Sequence, residues 1–247
     1  MISIVCVYNN ERILNDYLVK SLDKQTVKFE LIKLNNTKGY YKSASQALNS
    51  GGKKTKGKYI MFVHQDVDLF SKTWLEEVEK MLDNMSNLGI VGVAGKKNKN
   101  GVMTNITHGE PPKLAGKICI QKPVKVQTLD ECLIIIPRCV FDVLQFDEKV
   151  CDDWHLYAVD YCLNVRRLGF DAYVIPKRIY HRSPGYSMSK RYYVILKKVV
   201  KKHKQDYKII YTTMGNWNTS TPLILQIICT KLKCILKYLS EIPIAKN

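Results

Sequence analysis

The first half of the chain alternates short apolar runs with segments in which apolar residues recur at helical spacing. The apolar runs are typical of buried strands and cover residues 2–8, 29–34, 58–63 and 88–94. The helical segments follow residues 9–11, then cover 43–49 before Gly51 and Gly52, and then 72–82. This alternation predicts an α/β fold with a mostly parallel, Rossmann-like sheet flanked by helices.

The pattern changes after residue 95. Residues 96–116 are polar and rich in Gly, Pro, Asn and Lys, which predicts a long loop. Further strands are predicted at 117–126, 132–136 and 172–175, with a helix at 153–168 that ends at Gly169. We therefore assign residues 1–188 to one α/β domain.

Polar residues follow three of the predicted strands at the point where each ends, at 8–10, 35–37 and 64–68. Ligands of open α/β sheets bind beyond the carboxyl ends of the strands. Asp66, Asp68 and His64 in the third group suit a hard divalent cation, Mn²⁺ or Mg²⁺, that completes its shell with phosphate oxygens. The alternative is that Asp66 or Asp68 only caps the next helix.

The C-terminal quarter is strongly basic. From Lys190 onward there are twelve Lys and Arg residues and two acidic ones, so this part carries +10 of the formal charge of +17. Residues 190–208 and 223–239 have helical spacing with an apolar face and a lysine rim. We predict a basic, amphipathic helical extension at 189–247 that binds an anionic membrane surface; packing on the domain and a dimer contact remain alternatives.

The eight cysteines are scattered through apolar runs, and none forms a C-x-x-C pair. Such cysteines are typical of core positions in a reducing compartment, and the spacing does not predict a zinc cluster. The sequence lacks the pattern of a signal peptide and of a membrane span. We therefore expect a cytoplasmic protein, peripheral at the membrane if the basic extension binds lipid.

Several short motifs together resemble family-2-type glycosyltransferases with the nucleotide-sugar-binding A fold (GT-A), in particular a subgroup with His-Gln-Asp-Val and Trp-His-Leu-Tyr-Ala-Val-Asp segments. The matching stretches occur at 5–11, 34–37, 43–49, 57–67, 129–137, 154–160 and 181–185. The resemblance implies a transferase that moves a sugar from a UDP-, GDP- or dTDP-linked donor to a hydroxyl of a glycan, lipid-linked or protein acceptor.

The resemblance also implies residue roles. The donor nucleotide would contact Tyr8, Asn9 and Glu11 after the first strand, Asn35 and Asn36 after the second, and His64, Gln65 and Asp66 after the third. Asn36 stands where the family has Asp, which leaves the base preference open. Counting from Gly57 places the metal-binding carboxylate at Asp66, with Asp68 second, and a C-terminal His, here His181, would complete the Mn²⁺ or Mg²⁺ site.

Inverting transfer needs a general base, usually a carboxylate. The acidic pair that supplies it in many relatives falls here on Tyr157 and Ala158. If the helix starts by Asp153, then Asp153 and Asp160 share a face about 10 Å apart along the axis. We predict Asp160 as the base, with Asp153 or His155 as substitutes; the alternative is that Asp160 is a buried structural carboxylate.

Two other functions compete with the transferase. A chain with this charge could bind nucleic acid, but the charge lies outside the strand-end motifs and no nucleic-acid motif is present. A metal-dependent nucleotidyltransferase would share the sheet and the carboxylates. It needs a phosphate-binding Gly-rich loop, for which 51–54 is the candidate.

Overall fold

The computed structural model describes residues 1–184 and 189–240; within the last helix it describes side chains at 223–230 and 232. The elements follow the predicted strand–helix alternation. In chain order they are β1 (Ile2–Tyr8), α1 (Glu11–Leu14), a π-helical turn (Asn15–Val19), α2 (Lys20–Leu22), β2 (Glu30–Asn35), α3 (Ala44–Gly52), β3 (Tyr59–Val63), β4 (Val67–Asp68), α4 (Trp74–Asp83), β5 (Leu88–Gly92), β6 (Ala94–Lys96), β7 (Met103–Thr104), β8 (Ile106–His108), β9 (Lys113–Leu114), β10 (Val124–Val126), β11 (Thr128–Leu129), β12 (Leu133–Pro137), α5 (Arg138–Val143), α6 (Tyr157–Arg167), β13 (Asp171–Val174), β14 (Ile179–His181), α7 (Lys190–His203), β15 (Ile209–Thr212), β16 (Gly215–Asn218) and α8 (Leu223–Ser240).

A seven-stranded mixed sheet organises the molecule, in the order β10-β13-β5-β12-β3-β1-β2. β1 pairs in parallel with both β2 and β3, and β5 pairs in parallel with β13. β12 runs antiparallel to β3 and β5, and β10 runs antiparallel to β13. Three of the six neighbouring pairs are parallel and three antiparallel, so the sheet is mixed rather than mostly parallel as predicted; β10 at one edge and β12 in the centre run against the other five strands.

Both faces of the sheet are covered, so its strands are apolar throughout. Along β3, Ile60 and Phe62 face one core, and Tyr59, Met61 and Val63 face the other. This alternation follows from the period of two in a strand. The first core is closed by α3, α5, α6 and α7, and the second by α1, α2 and α4. The structure thus confirms an α/β fold with helices on both sides.

The glycines at the end of α3 are inside the helix, where the sequence predicted a stop. Ala44–Gly52 is one helix capped by the Ser43 side chain. A Cβ on Gly51 would lie 2.4 Å from Val5 Cγ1, and one on Gly52 would lie 2.4 Å from Phe141 Cζ. These glycines therefore let the helix approach the sheet closely, and a larger residue would push it away.

The predicted loop at 96–116 contains short strands. β8 pairs in parallel with β14 and antiparallel with β9, while β4 pairs with the other edge of β14. The result is a four-stranded sheet, β4-β14-β8-β9. Such short pairings leave no hydrophobic period in the sequence, which is why the segment looked irregular. Similarly, the strand predicted at 117–126 is limited to Val124–Val126.

The predicted C-terminal extension has two different parts. In α7, Tyr192, Ile195, Leu196 and Val199 are buried in the same core as α6. α8 touches that core through Leu223 and Ile227. The apolar face of α7 is therefore covered by the α/β domain, the alternative left open above. The described residues do not include 185–188, so Gly185 of the last motif and the N-terminal side of the predicted 188/189 boundary lie outside them. Residues 241–247 of the predicted extension lie outside them as well.

Within the described residues, none of the helices combines the length and the apolar character needed to cross a bilayer. Seven cysteines whose side chains the structure describes are free thiols: Cys6, Cys119, Cys132, Cys139, Cys151, Cys162 and Cys229.

Candidate functional site

The site lies where the strand order reverses. β1 is flanked by β2 on one side and β3 on the other; α1 and α2, which follow β1, cover one face of the sheet, and α3, which follows β2, covers the other. Gln65 joins these two ends: its Oε1 accepts hydrogen bonds from the N–H groups of Asn9 (3.1 Å) and Asn10 (3.0 Å), and its Nε2 donates to Asn9 Oδ1 (2.7 Å). Gln65 thereby ties the end of β3 to the end of β1 at the crevice.

A cavity of about 560 Å³ occupies this crevice. Its walls come from the ends of β1 and β3 and from the 153–157 segment. Of the nucleotide-contacting residues predicted above, Tyr8, Asn9, Asn36, His64, Gln65 and Asp66 line it. Trp154, 40% exposed, also lines it, and an exposed indole in a polar cavity is a natural stacking surface for a ring. The sequence analysis did not select Trp154, although it stands in a quoted motif.

A second cavity of about 690 Å³ opens next to the first. The two share Asn9, His64, Gln65, Asp66, Glu131 and His155 as lining residues. The second cavity is further enclosed by the β6–β8 region, by His181 and by the 212–214 turn. The predicted loop at 96–116 thus forms one wall of the site. Two chambers that meet at a polar junction suit a reaction between two bound molecules.

A left-handed turn shapes the junction. Helix α6 begins at Tyr157 rather than at 153, because Leu156 has φ 63° and ψ 10°. This conformation is unfavourable for a residue with a Cβ and is often found at functional sites. The turn directs Trp154 and His155 into the cavities and lets the Leu156 N–H donate to the Glu131 carboxyl.

Glu131 is the notable carboxyl that the sequence analysis missed. It lines both cavities, and its Oε1 is buried without a hydrogen-bond partner among the described residues. Burial, reinforced by the charge of Asp130, raises the pKa of Glu131 to about 8 from its ordinary 4.5. The residue lies in the quoted 129–137 motif, two residues after the end of β11, but the resemblance assigned no role to it.

Asp66 and His181 meet at the floor of the junction, as predicted. β14 runs antiparallel to β4, with His181 opposite Val67, so the imidazole is brought beside the strand-end carboxylate. His181 Nε2 lies 3.2 Å from Asp66 Oδ1, and Asp66 Oδ2 accepts a hydrogen bond from the Ser183 N–H (3.2 Å). Burial raises the pKa of Asp66, but His181 outweighs this and holds it at about 2.

The same pair shifts the histidine. Burial lowers the pKa of His181, but the Cys132 thiol and Asp66 together raise it to about 11. The neighbouring His64 is shifted the other way, because burial and then the positive His181 lower its pKa. The floor of the site therefore carries an ion pair next to a neutral imidazole.

Three predicted site residues lie outside both cavities. Asp68 Oδ1 accepts a hydrogen bond from the Phe70 N–H (2.7 Å), a local turn contact that points it away from Asp66 and His181. Glu11 is exposed in the first turn of α1, and Asn35 Oδ1 accepts hydrogen bonds from Thr37. The roles predicted for Asp68 in metal binding and for Glu11 and Asn35 in nucleotide binding do not fit this geometry.

Asn36 reaches the cavity but its amide is already occupied. Its Oδ1 accepts from the Tyr41 N–H (2.7 Å) and its Nδ2 donates to the Tyr41 carbonyl (3.2 Å). Both functions of the side chain thus close the 36–41 turn. Asn36 therefore shapes the wall of the cavity, and its contacts within the turn do not indicate a base preference.

The predicted base Asp160 is a buried structural carboxylate. It is 1% exposed, lines neither cavity, and accepts from His203 Nε2 (2.8 Å), Lys202 Nζ (2.8 Å) and Asn164 Nδ2 (2.9 Å). The helix start at Tyr157 removes the shared face with Asp153 on which the prediction depended. This geometry does not fit the role predicted for Asp160 as the base and favours the alternative of a buried structural carboxylate.

The two substitute bases do reach the site. Asp153 lines the first cavity; burial raises its pKa, but the Trp154 N–H and Arg191 (Nε–Oδ2 2.7 Å) outweigh this and lower it. His155 lines both cavities, lies 3.3 Å from Ser189 Oγ through Nε2, and has its pKa lowered by burial. Asp153 is thus an ion-paired carboxylate and His155 a neutral imidazole at the junction.

Comparison with known proteins agrees with this geometry. The sequence model of a family described as "Glycosyltransferase like family" matches residues 2–211, and the chain belongs to this family. The matched range extends past residue 188 into β15, consistent with the packing of α7 in the α/β core. The resemblance found in the sequence is therefore confirmed at the level of the family.

Solved glycosyltransferase structures share the fold. Staphylococcus aureus TarS (residues 1–349) in complex with UDP matches with a TM-score of 0.56 and 14% identity, over 81% of this chain and 64% of that one. Mannosyltransferase PcManGT from Pyrobaculum calidifontis in complex with GDP-Man and Mn²⁺ matches with a TM-score of 0.57 and 12% identity, over 84% and 65%. GalNAc-T7 with UDP, GalNAc and Mn²⁺ matches with a TM-score of 0.58 and 14% identity, over 83% and 48%.

A curated sequence relative is also found. "ATP synthase subunits region ORF 6" of Fuscovulum blasticum is 25% identical over 134 residues, which is 52% of this chain and 53% of that protein. The chain thus spans about half the length of this relative and less than two thirds of the solved chains. At these identities the likenesses establish the GT-A fold.

Proposed function

We propose that this chain is a glycosyltransferase that moves a sugar from a nucleoside-diphosphate sugar to an acceptor hydroxyl, with inversion at the anomeric carbon. The observation that carries the proposal is the pair of chambers that meet at His64, Gln65 and Asp66 at the switch point of the sheet. Membership of the glycosyltransferase-like family supports the same reading. The first chamber would hold the donor, and the second a glycan, lipid-linked or protein acceptor.

The donor chamber offers matching chemistry for each part of a UDP-, GDP- or dTDP-linked sugar. Trp154 and Tyr8 provide ring surfaces for the nucleobase. The diphosphate would lie toward the Asp66–His181 ion pair on the floor of the junction.

A divalent cation fits the floor of the site. Asp66 Oδ1 and His181 Nε2 are 3.2 Å apart, close to the separation of two ligands on one small cation. A bound cation supplies charge neutralisation for the leaving diphosphate. Neighbouring structures contain Mn²⁺, and Mn²⁺ or Mg²⁺ is the first expectation for this site.

The chain's own contribution to chemistry centres on Glu131. It faces both chambers, so it can reach an acceptor hydroxyl placed next to the donor sugar. Because its pKa is raised to about 8, Glu131 would act from its ionised form, which takes the acceptor proton as the new C–O bond forms. The anomeric carbon–phosphate oxygen bond breaks on the opposite side, and the nucleoside diphosphate leaves with the bonding electron pair. Asp153 and His155 would position hydroxyls at the junction.

A panel of nucleotide sugars tests the proposal. Purified protein is incubated with UDP-, GDP- and dTDP-sugars, with and without Mn²⁺ or Mg²⁺, and release of nucleoside diphosphate is measured. Hydrolysis or transfer with one nucleotide class, together with thermal stabilisation by that nucleoside diphosphate, is expected. Stabilisation by a single-stranded oligonucleotide, with no response to any nucleoside diphosphate, would favour the nucleic-acid alternative.

Attachment to an anionic membrane is a second part of the proposal, and α8 supports it. One side of this helix exposes Ile224 (62%), Leu225 (52%), Ile228 (46%) and Leu232 (52%). Because the chain carries a formal charge of +17, anionic lipid is the complementary surface for that apolar stripe.

Vesicle co-sedimentation tests the attachment. We expect binding to phosphatidylserine vesicles at low salt, weaker binding to phosphatidylcholine, and loss of binding in Ile228→Asp. Val194, exposed on α7 away from the stripe, provides the matched control Val194→Asp, which should bind as the wild type does. Absence of binding to anionic vesicles at low salt would refute the membrane role.

A further inference from the structure

A buried cysteine joins the two histidines at the floor of the site. The ligand atoms of His64, Cys132 and His181 all lie within 4.8 Å of one another. Cys132 is 2% exposed and the His181 side chain 12%, so this group is largely shielded from water. The cluster combines a residue after β3, one before β12 and one at the end of β14, three segments far apart in sequence.

The strand pairing explains why these residues meet. β12 lies beside β3 in the main sheet, and the His64 N–H donates to the Cys132 carbonyl (3.0 Å), which fixes the two residues side by side. His181 arrives from the small sheet through β4, which directly follows His64 and Asp66. The ring centroids of His64 and His181 are 5.5 Å apart. The cluster is thus built on strand ends, which hold ligands more rigidly than free loops.

We propose that His64, Cys132 and His181 form a transition-metal centre of the zinc class, with two nitrogen ligands, one thiolate and one open position. Ligands on a tetrahedral zinc ion are about 3.4–3.6 Å apart, so closure from the observed spacing requires shifts of about 1 Å. Thiolate and imidazole donors favour Zn²⁺ and Co²⁺, whereas Mn²⁺ and Mg²⁺ favour oxygen donors. This donor set differs from the carboxylate-based site expected from the sequence.

Asp66 has a supporting place in this centre. Its Oδ1 lies 3.2 Å from His181 Nε2, so in this centre His181 would bind the metal through Nδ1 while Asp66 orients the ring; this arrangement is an alternative to the cation held by Asp66 and His181 Nε2 described above. The metal would take Cys132 as the thiolate and both histidines as neutral imidazoles. All three ligands line the second cavity, so an open position there could accept a phosphate oxygen or a water molecule. Only the identity of that fourth ligand rests on the proposed function; the centre itself does not.

Cobalt titration of the full chain tests the centre without any sugar donor. The protein is stripped with a chelator, kept reduced, and titrated with Co²⁺. We expect one equivalent to produce a thiolate-to-cobalt charge-transfer band in the near ultraviolet, and one equivalent of Zn²⁺ to remove it. Most protein sites bind Zn²⁺ more tightly than Mn²⁺, so a higher affinity for Zn²⁺ would not by itself identify this centre. The thiolate-to-cobalt band identifies it, because the band requires a cysteine ligand.

Two cysteine variants show whether the cobalt band comes from Cys132. Cys132→Ser should abolish the band and weaken Co²⁺ binding by more than the roughly 10–100-fold typical of changes outside the ligand set. Cys162→Ser removes an equally buried thiol on α6 that is outside the cluster, and should keep both the band and the affinity. Equal behaviour of the two variants, or a wild-type cobalt spectrum without a thiolate band, would overturn the proposal.

X-ray absorption on the zinc-loaded wild type covers the case in which Cys132→Ser does not fold. One sulfur ligand at about 2.3 Å with nitrogen ligands at about 2.0–2.1 Å is expected, and a shell of oxygen and nitrogen alone would contradict it. A centre that forms in a protein inactive toward every nucleotide sugar would refute the proposed function and leave the metal assignment standing.

Discussion

Replacement of Asp160 separates the two roles that this residue could have. In Asp160→Asn the carboxylate is lost while the side-chain volume is kept. Lys202 Nζ and His203 Nε2, each 2.8 Å from an Asp160 oxygen, then face an amide in a site where the histidine and the aspartate are at most 1% exposed. Lys202 keeps its second partner, Asp147, at 2.9 Å, which limits the loss.

The expected cost is about 3–5 kcal/mol, the range seen when one partner of a buried ion pair is removed. For a chain of 247 residues, each kcal/mol lowers Tm by roughly 2–4 °C, so a fall of roughly 10 °C is expected in thermal unfolding followed by circular dichroism. Asp152→Asn is the control, because the Asp152–Lys198 pair is half-exposed and contributes at most about 1 kcal/mol.

For catalysis, in contrast to stability, we expect Asp160→Asn to have little effect. At a temperature where Asp160→Asn is folded, nucleotide-sugar turnover should stay close to the wild-type rate, because Asp160 faces neither cavity. An unchanged Tm together with loss of turnover would refute this reasoning and restore Asp160 as the base.

Three further predictions follow from particular contacts. Glu131→Gln should lower kcat by about 10²–10⁴-fold and leave the dissociation constant for the donor unchanged. The control Glu11→Gln, which lies outside both cavities, should leave kcat unchanged. Equal effects of the two variants on kcat would exclude Glu131 as the base. Gly52→Ala should reduce the free energy of unfolding in urea by about 1–3 kcal/mol, since its Cβ would lie 2.4 Å from Phe141 Cζ; an unchanged or greater stability would show that α3 can shift freely. Burial raises the pKa of Asp147, but its ion pair with Lys202 outweighs this and lowers the pKa below 3.8. The difference in free energy of unfolding between wild type and Asp147→Asn should therefore be largest above pH 3.8 and shrink as the pH falls through the lowered pKa. A difference that grows in acid would contradict the pairing.

The sequence was sufficient for the sheet because local pattern decides which segments become strands. Runs such as 58–63 are apolar on both sides, and both sides are indeed buried. It was also sufficient for the edge where the site lies, since polar groups after β1 and β3 must meet at adjacent strand ends. Asp66 and His181 were paired correctly only with the help of the family resemblance.

The rest depended on contacts between distant segments. The start of α6 is set by the left-handed turn at Leu156, which a helical pattern from 153 does not reveal, and this shift moved the choice of base from Asp160 to Glu131. Cys132 resembled an ordinary core cysteine, because it directly precedes the apolar run 133–136. It lies between two histidines only because β12 inserts antiparallel beside β3. The amino-acid sequence thus determined which segments are buried and where the polar edge lies. The order and direction of the strands, which depend on long-range pairing, decided which side chains share the site.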